Sequence, residues 1–508
     1  MSKDRSYRFL KNVLLLTATA LLMRSVSLSF NLYLKEKLGA EGIGLFSLIM
    51  NLFSFAVTLA TSGVTLLTTR LVSEAMGKGR PFEVKVAMKR CLAYALFFGF
   101  LAFFLLFSLA VPIGKRLLGD ARTIPSLYAL AISLPFLALS SALSGYFAAV
   151  RRVVKSAAAQ MGEQFLRIAF TVMALTYLAP DDLTLTCLFV VLGGVISDIF
   201  SLILSYILYR LDLKKHNRAR SGRVARDLNK KLLAIGLPVA ISSYFRSALV
   251  TLEHLLIPKG LLAFGMEEAS ALAVYGVLEA MALPVILFPY AFLTPFCNLL
   301  IPEVAENTAA ENTADLRATA SKALAFVSFF GVGVAAILMT LSGLIGEILC
   351  KSEEASLYIL MLAPLVPVMY ADTTVDSLLK GAGEQLFSLR VNIMDSILGV
   401  ALAFTTVPLF GIKGYIFNII LCELINFSFS ATRLVRKLRP EYSVVKNLLF
   451  PLAAAILTAF LTRKAAPFFP ESKLGLILLI TLAALIYAAI LFFLKKPFYR
   501  KGSITQDD

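Results

Sequence analysis

The chain has 508 residues, 58% of them apolar and only 16% charged. Soluble domains of ordinary composition carry roughly a quarter of their residues as charged side chains, so a soluble enzyme is excluded. The net charge of +17 would suit nucleic acid if the 49 lysines and arginines formed one face, but they lie in short clusters between apolar runs, which is a topology signal.

The basic start MSKDRSYRFLKN leads into an apolar stretch that reaches Leu34 with no small-residue cleavage pattern, which predicts a retained first helix over 10–34 and no removed signal peptide. Thirteen further spans follow in chain order at 43–68, 87–111, 124–150, 157–179, 183–209, 232–257, 270–300, 323–348, 355–379, 386–408, 412–433, 444–462 and 474–494. A bilayer crossing needs about 20 predominantly apolar residues, and these runs supply that length. With the N-terminus inside, the inner segments hold 35 of the 49 cations and the outer loops 11, leaving Arg24, Arg167 and Arg246 within spans. That bias predicts a multi-pass protein of the bacterial cytoplasmic membrane with both termini in the cytoplasm. Cys91, Cys187, Cys297, Cys350 and Cys422 are scattered, and only His216 and His254 occur, so neither a disulfide framework nor a metal site is expected. Nothing in the sequence resembles an enzyme, so no enzymatic activity is expected, and the absence of the phosphate-loop pattern GxxxxGK[ST] speaks against ATP hydrolysis in particular.

Residues 210–231, RLDLKKHNRARSGRVARDLNKK, carry nine cations and no apolar run. They read as a solvated linker near anionic lipid between two halves. The expected organisation is an N-lobe over 1–210, a linker over 211–231, a C-lobe over 232–440, two further helices over 441–496 and a tail over 497–508. Anchors recur between the halves at an offset of 232: Glu74 with Glu306, Pro135 with Pro367, Gln160 with Asn392 and Glu163 with Asp395. Arg24-Ser25 followed by Asn31 and Arg246-Ser247 followed by Glu253 recur at 222. An even number of spans per half keeps both in one orientation, so the expected fold is an all-α membrane protein of fourteen helices, with two parallel six-helix repeats around a central cavity plus two C-terminal helices. Two bundles around a midplane site suit alternating access.

An arginine at mid-helix costs about 2.5–3.5 kcal/mol to insert, so Arg24 and Arg246, each in the first helix of its half, should face a cavity, a partner or an anionic ligand. Guanidinium forks bind phosphate oxygens bidentately, and the two are candidates to hold a phosphate or pyrophosphate across the cleft. A salt bridge of Arg246 with Glu253 or Glu279 is the plainer alternative. Asn31, Glu253 and Arg70 are further polar candidates for the cavity. Asp372 and Asp376 share a helix face at i, i+4 and are candidates for proton or cation coupling. Glu163 and Arg167 read as a self-neutralising helix pair. Asp198, Asp395 and Glu423 read as isolated carboxylates, and Asn51, Asn298, Asn418 and Asn426 as bonds between helices. Pro284, Pro289 and Pro295 predict a kinked or discontinuous eighth helix, and Gly63, Pro135, Gly145, Pro364 and Pro367 mark further bends.

Several segments resemble one family. They are Gly63-Val64 with Thr69-Arg70-Leu71-Val72-Ser73-Glu74, Ser144-Gly145-Tyr146-Phe147 with Gln160, Glu163-Gln164 and Arg167, and Leu300-Ile301-Pro302-Glu303-Val304-Ala305-Glu306. Above all there is Val375-Asp376-Ser377-Leu378-Leu379-Lys380-Gly381, then Asn392-Ile393-Met394-Asp395-Ser396 and Gly411-Ile412-Lys413-Gly414-Tyr415. In order and spacing these resemble the stage V sporulation protein B group, in the polysaccharide branch of the multidrug, oligosaccharidyl-lipid and polysaccharide exporter superfamily that also contains the lipid II flippases. The resemblance implies fourteen helices, a cationic cavity and a polyprenyl-pyrophosphate-linked saccharide as substrate, turned between leaflets for wall, capsule or spore synthesis. It matches Arg24 to the family's first-helix arginine and suggests a lipid-tail groove at the two terminal helices. Ser27 and Asn31, where a glycine and a second basic residue are usual, and Ala148-Ala149-Val150 depart from the pattern. The expected partners are the lipid-linked oligosaccharide, membrane lipids and cell-wall synthesis enzymes. No cofactor is expected, with membrane potential, H+ or Na+ as the driving force. A drug or organic-cation antiporter, or a non-transporting scaffold, are the alternatives.

Overall fold

The computed structural model describes residues 3–61, 63–77, 80–150, 152–178, 182–216, 228–309 and 311–501. In lipid every backbone polar group must be satisfied within its own segment, and the apolar runs accordingly form helices. Among the described residues, eleven helical stretches are long and apolar enough to cross a membrane. The chain is a multi-pass membrane protein. Residues 217–227 of the expected linker and 502–508 of the tail lie outside the described residues, as do the side chains of Asn298, Pro302 and Glu306.

The helices fall into two compact units. One, Leu34–Lys259, holds the second part of α1 (Lys3–Thr61), α2 (Val64–Gly77), α3 (Pro81–Pro112), α4 (Ile124–Ala149), α5 (Val153–Tyr177), α6 (Leu183–His216) and most of α7 (Leu228–Ala263). The other, Met1–Tyr33 with Gly260–Asp508, holds the start of α1, α8 (Glu268–Val277), α9 (Leu283–Ile286), α10 (Tyr290–Ala309), α11 (Thr313–Ile345), α12 (Glu353–Leu362) and α13 (Val366–Gly381). It also holds α14 (Gln385–Phe410), α15 (Ile412–Leu438), α16 (Phe450–Ala465) and α17 (Lys473–Lys501).

Breaks fall where hydropathy is blind and backbone chemistry is not. α1 is interrupted at Gly39 (φ 74°, ψ 177°). The span expected over 43–68 is broken after Thr61, where Gly63 takes φ 75°, a region that favours glycine. The expected eighth helix is discontinuous: α8 passes through a π-turn at Leu278–Ala282 into the one-turn α9, and a turn at 287–289 precedes α10. Pro284 and Pro289, which lack the amide hydrogen, account for the interruption. The expected span 355–379 is likewise divided at Ala363–Leu365 around Pro364.

Inside the Leu34–Lys259 unit, α2 packs on α3 and α4, α3 on α4, α4 on α6 and α5 on α6. Inside the other unit, α10 packs on α11 and α13, α11 on α13, α13 on α15 and α14 on α15, the same order of partners. One contact repeats closely. A Cβ on Gly99 of α3 would sit 2.9 Å from the Pro135 Cα of α4, and a Cβ on Gly331 of α11 would sit 2.8 Å from the Pro367 Cα of α13. Both positions of the second pair lie 232 residues after those of the first. The terminal helices α16 and α17 dock on α11 through Val332, Ala454, Ala455 and Tyr487, with the Tyr487 hydroxyl donating to the Phe329 carbonyl at 2.9 Å.

Candidate functional site

Arg24 sits on α1, half-buried, and its guanidinium lies close enough to the Tyr370 phenol of α13 for the two to interact electrostatically. It makes no ion pair among the described residues. Asn31, two turns further along α1, is also half-buried and belongs to the same unit. Tyr370 is fully buried, and its hydroxyl donates to the Ile286 carbonyl at 3.1 Å, which fixes α13 against α9.

Behind Tyr370, α13 carries the two expected coupling residues, and they part company. Asp376 pairs with Lys380 one turn on at 2.5 Å. Asp372 has a buried carboxylate oxygen, Oδ1, with no hydrogen-bond partner among the described residues. It lies within electrostatic reach of Asp395 on α14, and Glu423 on α15 interacts with both. The reading of Asp395 and Glu423 as isolated is therefore corrected: α13, α14 and α15 gather Asp372, Asp395 and Glu423 into one carboxyl cluster. The pair offset Glu163 to Asp395 was the available signal for it. Among the described residues no group of three His, Cys, Asp or Glu side chains has the disposition to hold a metal ion.

The Leu34–Lys259 unit holds the matching position, already neutralised. Arg167 of α5 donates to Glu163 at 3.1 Å and to Asp198 of α6 at 3.2 Å. The helix pair Glu163–Arg167 is present as expected, but Asp198, 4% exposed, is its third member and not an isolated carboxylate. Desolvation makes an unpaired buried carboxylate expensive, and the shared guanidinium supplies the compensation. Position 167 corresponds at the 232 offset to Gly399, so no arginine stands at the equivalent position of the other cluster, where Lys380 is a cation within electrostatic reach of Asp372. Asn418 instead donates to the Gly399 carbonyl at 3.0 Å, an interhelical bond of the expected kind.

Arg246, Glu253 and Arg70 belong to the Leu34–Lys259 unit, apart from Arg24, Asn31, Asp372 and Asp376. Arg246 is exposed on α7, while its neighbours tie α7 to α1: the Tyr244 hydroxyl donates to the Leu59 carbonyl at 3.0 Å and Ser247 to Thr58 at 3.2 Å. Glu253 is half-buried and Arg70 is exposed. Glu279, offered as a partner for Arg246, belongs to the other unit and accepts from the Tyr415 hydroxyl at 2.7 Å.

Two charged clusters that sequence spacing did not disclose tie helix ends. Asp212 of α6, 2% exposed on its side chain, accepts from the Tyr146 hydroxyl at 2.9 Å, from Lys155 at 2.6 Å and from Arg152, joining α6 to the α4–α5 junction. In the turn between α13 and α14, Glu384 accepts from Arg433 at 2.8 Å and pairs with Lys437 at 3.3 Å. The Arg433 hydrogen bonds, followed by that of Lys437, hold the Glu384 carboxyl below the usual range.

Long helices packed in this order, with charge retained inside the apolar spans, define a polytopic all-α membrane protein. Residues 9–296 match the family described as polysaccharide biosynthesis protein, and the chain belongs to that family. Residues 260–405 also match the family described as MatE. The chain is 22% identical over 463 residues to Stage V sporulation protein B of Bacillus subtilis (strain 168), covering 89% of this chain and 88% of that protein. It is 24% identical over 366 residues to sporulation protein YkvU of the same organism, covering 70% of this chain and 79% of that protein. Its fold is similar to that of the lipid II flippase MurJ in an inward closed conformation, with a TM-score of 0.68 at 12% identity, covering 96% of this chain and 100% of that one. It is also similar to a multidrug resistance MATE family transporter of the MOP superfamily in an inward-facing conformation, with a TM-score of 0.64 at 14% identity, covering 82% of this chain and 96% of that one.

Proposed function

We propose that this protein is a flippase or exporter of a polyprenyl-pyrophosphate-linked saccharide, such as lipid II or another cell-wall or capsular unit. It works by alternating access in the bacterial cytoplasmic membrane, with both termini inside and no covalent chemistry. The observation that carries this reading is Arg24: a half-buried guanidinium in a membrane-spanning run, without an ion pair among the described residues. Such a charge costs about 2.5–3.5 kcal/mol to insert and is retained where an anion uses it. Arg24 and Arg246 take the pyrophosphate, and Asn31, Glu253 and Arg70 contact the polar remainder. The similarity to Stage V sporulation protein B and the MurJ fold support the substrate class and a role in sporulation. The fold completes as fourteen helices in two parallel six-helix repeats, a reading supported by the shared packing order and by the Gly99–Pro135 and Gly331–Pro367 contacts.

Native mass spectrometry of the purified protein with undecaprenyl-pyrophosphate glycans tests the anion role. Wild type should retain the lipid and the Arg24→Ala/Arg246→Ala double variant should lose it. Equal retention by both would sink the arginine mechanism, and full complementation by the double variant would favour a scaffold.

The driving force in this proposal is proton movement through Asp372, Asp395 and Glu423. Asp372 keeps a buried carboxylate oxygen with no hydrogen-bond partner among the described residues, and that oxygen is the one a moving proton takes in this proposal. Asp372→Asn and Glu423→Gln should each slow proteoliposome flipping driven by an imposed pH gradient, while leaving lipid retention intact. A gradient response equal to wild type in both variants would remove the cluster from the mechanism. A second reading, an organic-cation antiporter, is favoured by the MatE match over 260–405, which contains Asp372 and Asp395. Efflux of a cationic dye that depends on Asp372 would select it.

A further inference from the structure

A cavity of about 360 Å³ opens beside the last turns of α15, lined by Phe387, Phe429, Ser428, Thr432, Arg433 and Arg436 among others. Its two arginines have different duties. Arg433 sends Nε and Nη2 to Glu384 and lies over the Phe387 ring at 5.4 Å from the centroid, so its fork is occupied. Arg436 is exposed and makes no ion pair among the described residues. With Lys437 and Arg439 they form four cations between 433 and 439, which outweigh the single carboxylate of Glu384 and the partial negative charge of the helix C-terminus. The hydroxyls are committed as donors: Ser428 donates to the Leu424 carbonyl at 2.6 Å and Thr432 to the Ser428 carbonyl at 2.7 Å. They therefore present only acceptor lone pairs to the cavity.

We infer that this cavity holds the headgroup of an anionic glycerophospholipid, with the phosphate on Arg436, the headgroup hydroxyls donating to Ser428 and Thr432, and an acyl chain along Phe387 and Phe429. A basic pocket between helices at the end of an apolar span is what an anionic headgroup requires. The oxygens left as acceptors select a hydroxyl-bearing headgroup such as phosphatidylglycerol over phosphatidylcholine, which offers no donor. The cavity shares no lining residue with Arg24 or the carboxyl cluster, and its occupancy is measured without reference to flipping.

The test is native mass spectrometry of the full chain in detergent with equimolar phosphatidylglycerol and phosphatidylcholine. Wild type should keep phosphatidylglycerol in preference, and Arg436→Gln should lower that retention about fivefold, the effect of one cation near a lipid surface. Thr432→Phe keeps every charge and fills the cavity, so it should lower retention as well, whereas Lys446→Gln, a cation outside the cavity, should not. The inference stands only on that pattern. Retention unchanged in Arg436→Gln or Thr432→Phe, an equal loss in Lys446→Gln, equal retention of phosphatidylcholine, or displacement of the lipid by excess inorganic phosphate would each overturn it.

Discussion

Removing the Asp212 carboxylate should unlatch the α4–α5 junction from α6. The side chain is 2% exposed and serves three donors, of which the Tyr146 hydroxyl is buried while Arg152 and Lys155 remain 30% and 34% exposed. In Asp212→Ala the Tyr146 hydroxyl loses its partner in a dry site, at about 1–3 kcal/mol. The two cations recover much of their hydration, so their contribution is discounted to about 1 kcal/mol together. The expected loss is about 3 kcal/mol, which for a chain of 508 residues, with an unfolding entropy of about 1.1 kcal/mol/K, is a fall of about 3 °C in unfolding temperature. Asp212→Asn keeps an acceptor for Tyr146 and should lie between that variant and wild type. The chain lacks tryptophan, but Cys91, Cys187, Cys297 and Cys350 are buried, so a thiol-reactive dye reports unfolding directly. An Asp212→Ala protein that melts within about 1 °C of wild type would refute the estimate and the latch with it.

Gly331→Ala and Gly99→Ala should each destabilise by about 1–3 kcal/mol, because the added methyl meets proline backbone and not a movable side chain; Gly343→Ala, with nothing within 4 Å of its Cβ, should be neutral in the same melts. For Glu384 the folded carboxyl is held below its unfolded value, so its contribution is present above the unfolded pKa of about 4.3 and is lost as pH falls through the lower folded value. The gap in unfolding temperature between wild type and Glu384→Gln should accordingly be constant from neutral pH to about 5 and close below 4; a gap that widens on acidification would contradict that sign.

Much of this protein was legible in order along the chain. Apolar length announced the membrane, because a bilayer crossing is a one-dimensional property of about 20 residues. The prolines at 284 and 289 announced a broken helix, because a missing amide hydrogen acts locally. The offset linking Pro135 to Pro367 anticipated two contacts whose glycine halves, Gly99 and Gly331, only the packing revealed. Tertiary structure alone decided which charges are spent. Glu163 with Arg167 was readable at i, i+4, whereas Asp198 joins them from another helix. Asp372 and Asp376 look equivalent in the sequence, yet Lys380 takes one, and the other meets Asp395 and Glu423 on two further helices. Sequence spacing fixes the face of a helix on which a charge lies; which neighbouring helix presents a counter-charge to that face is decided by packing, and on that depends whether the charge is structural or available for work.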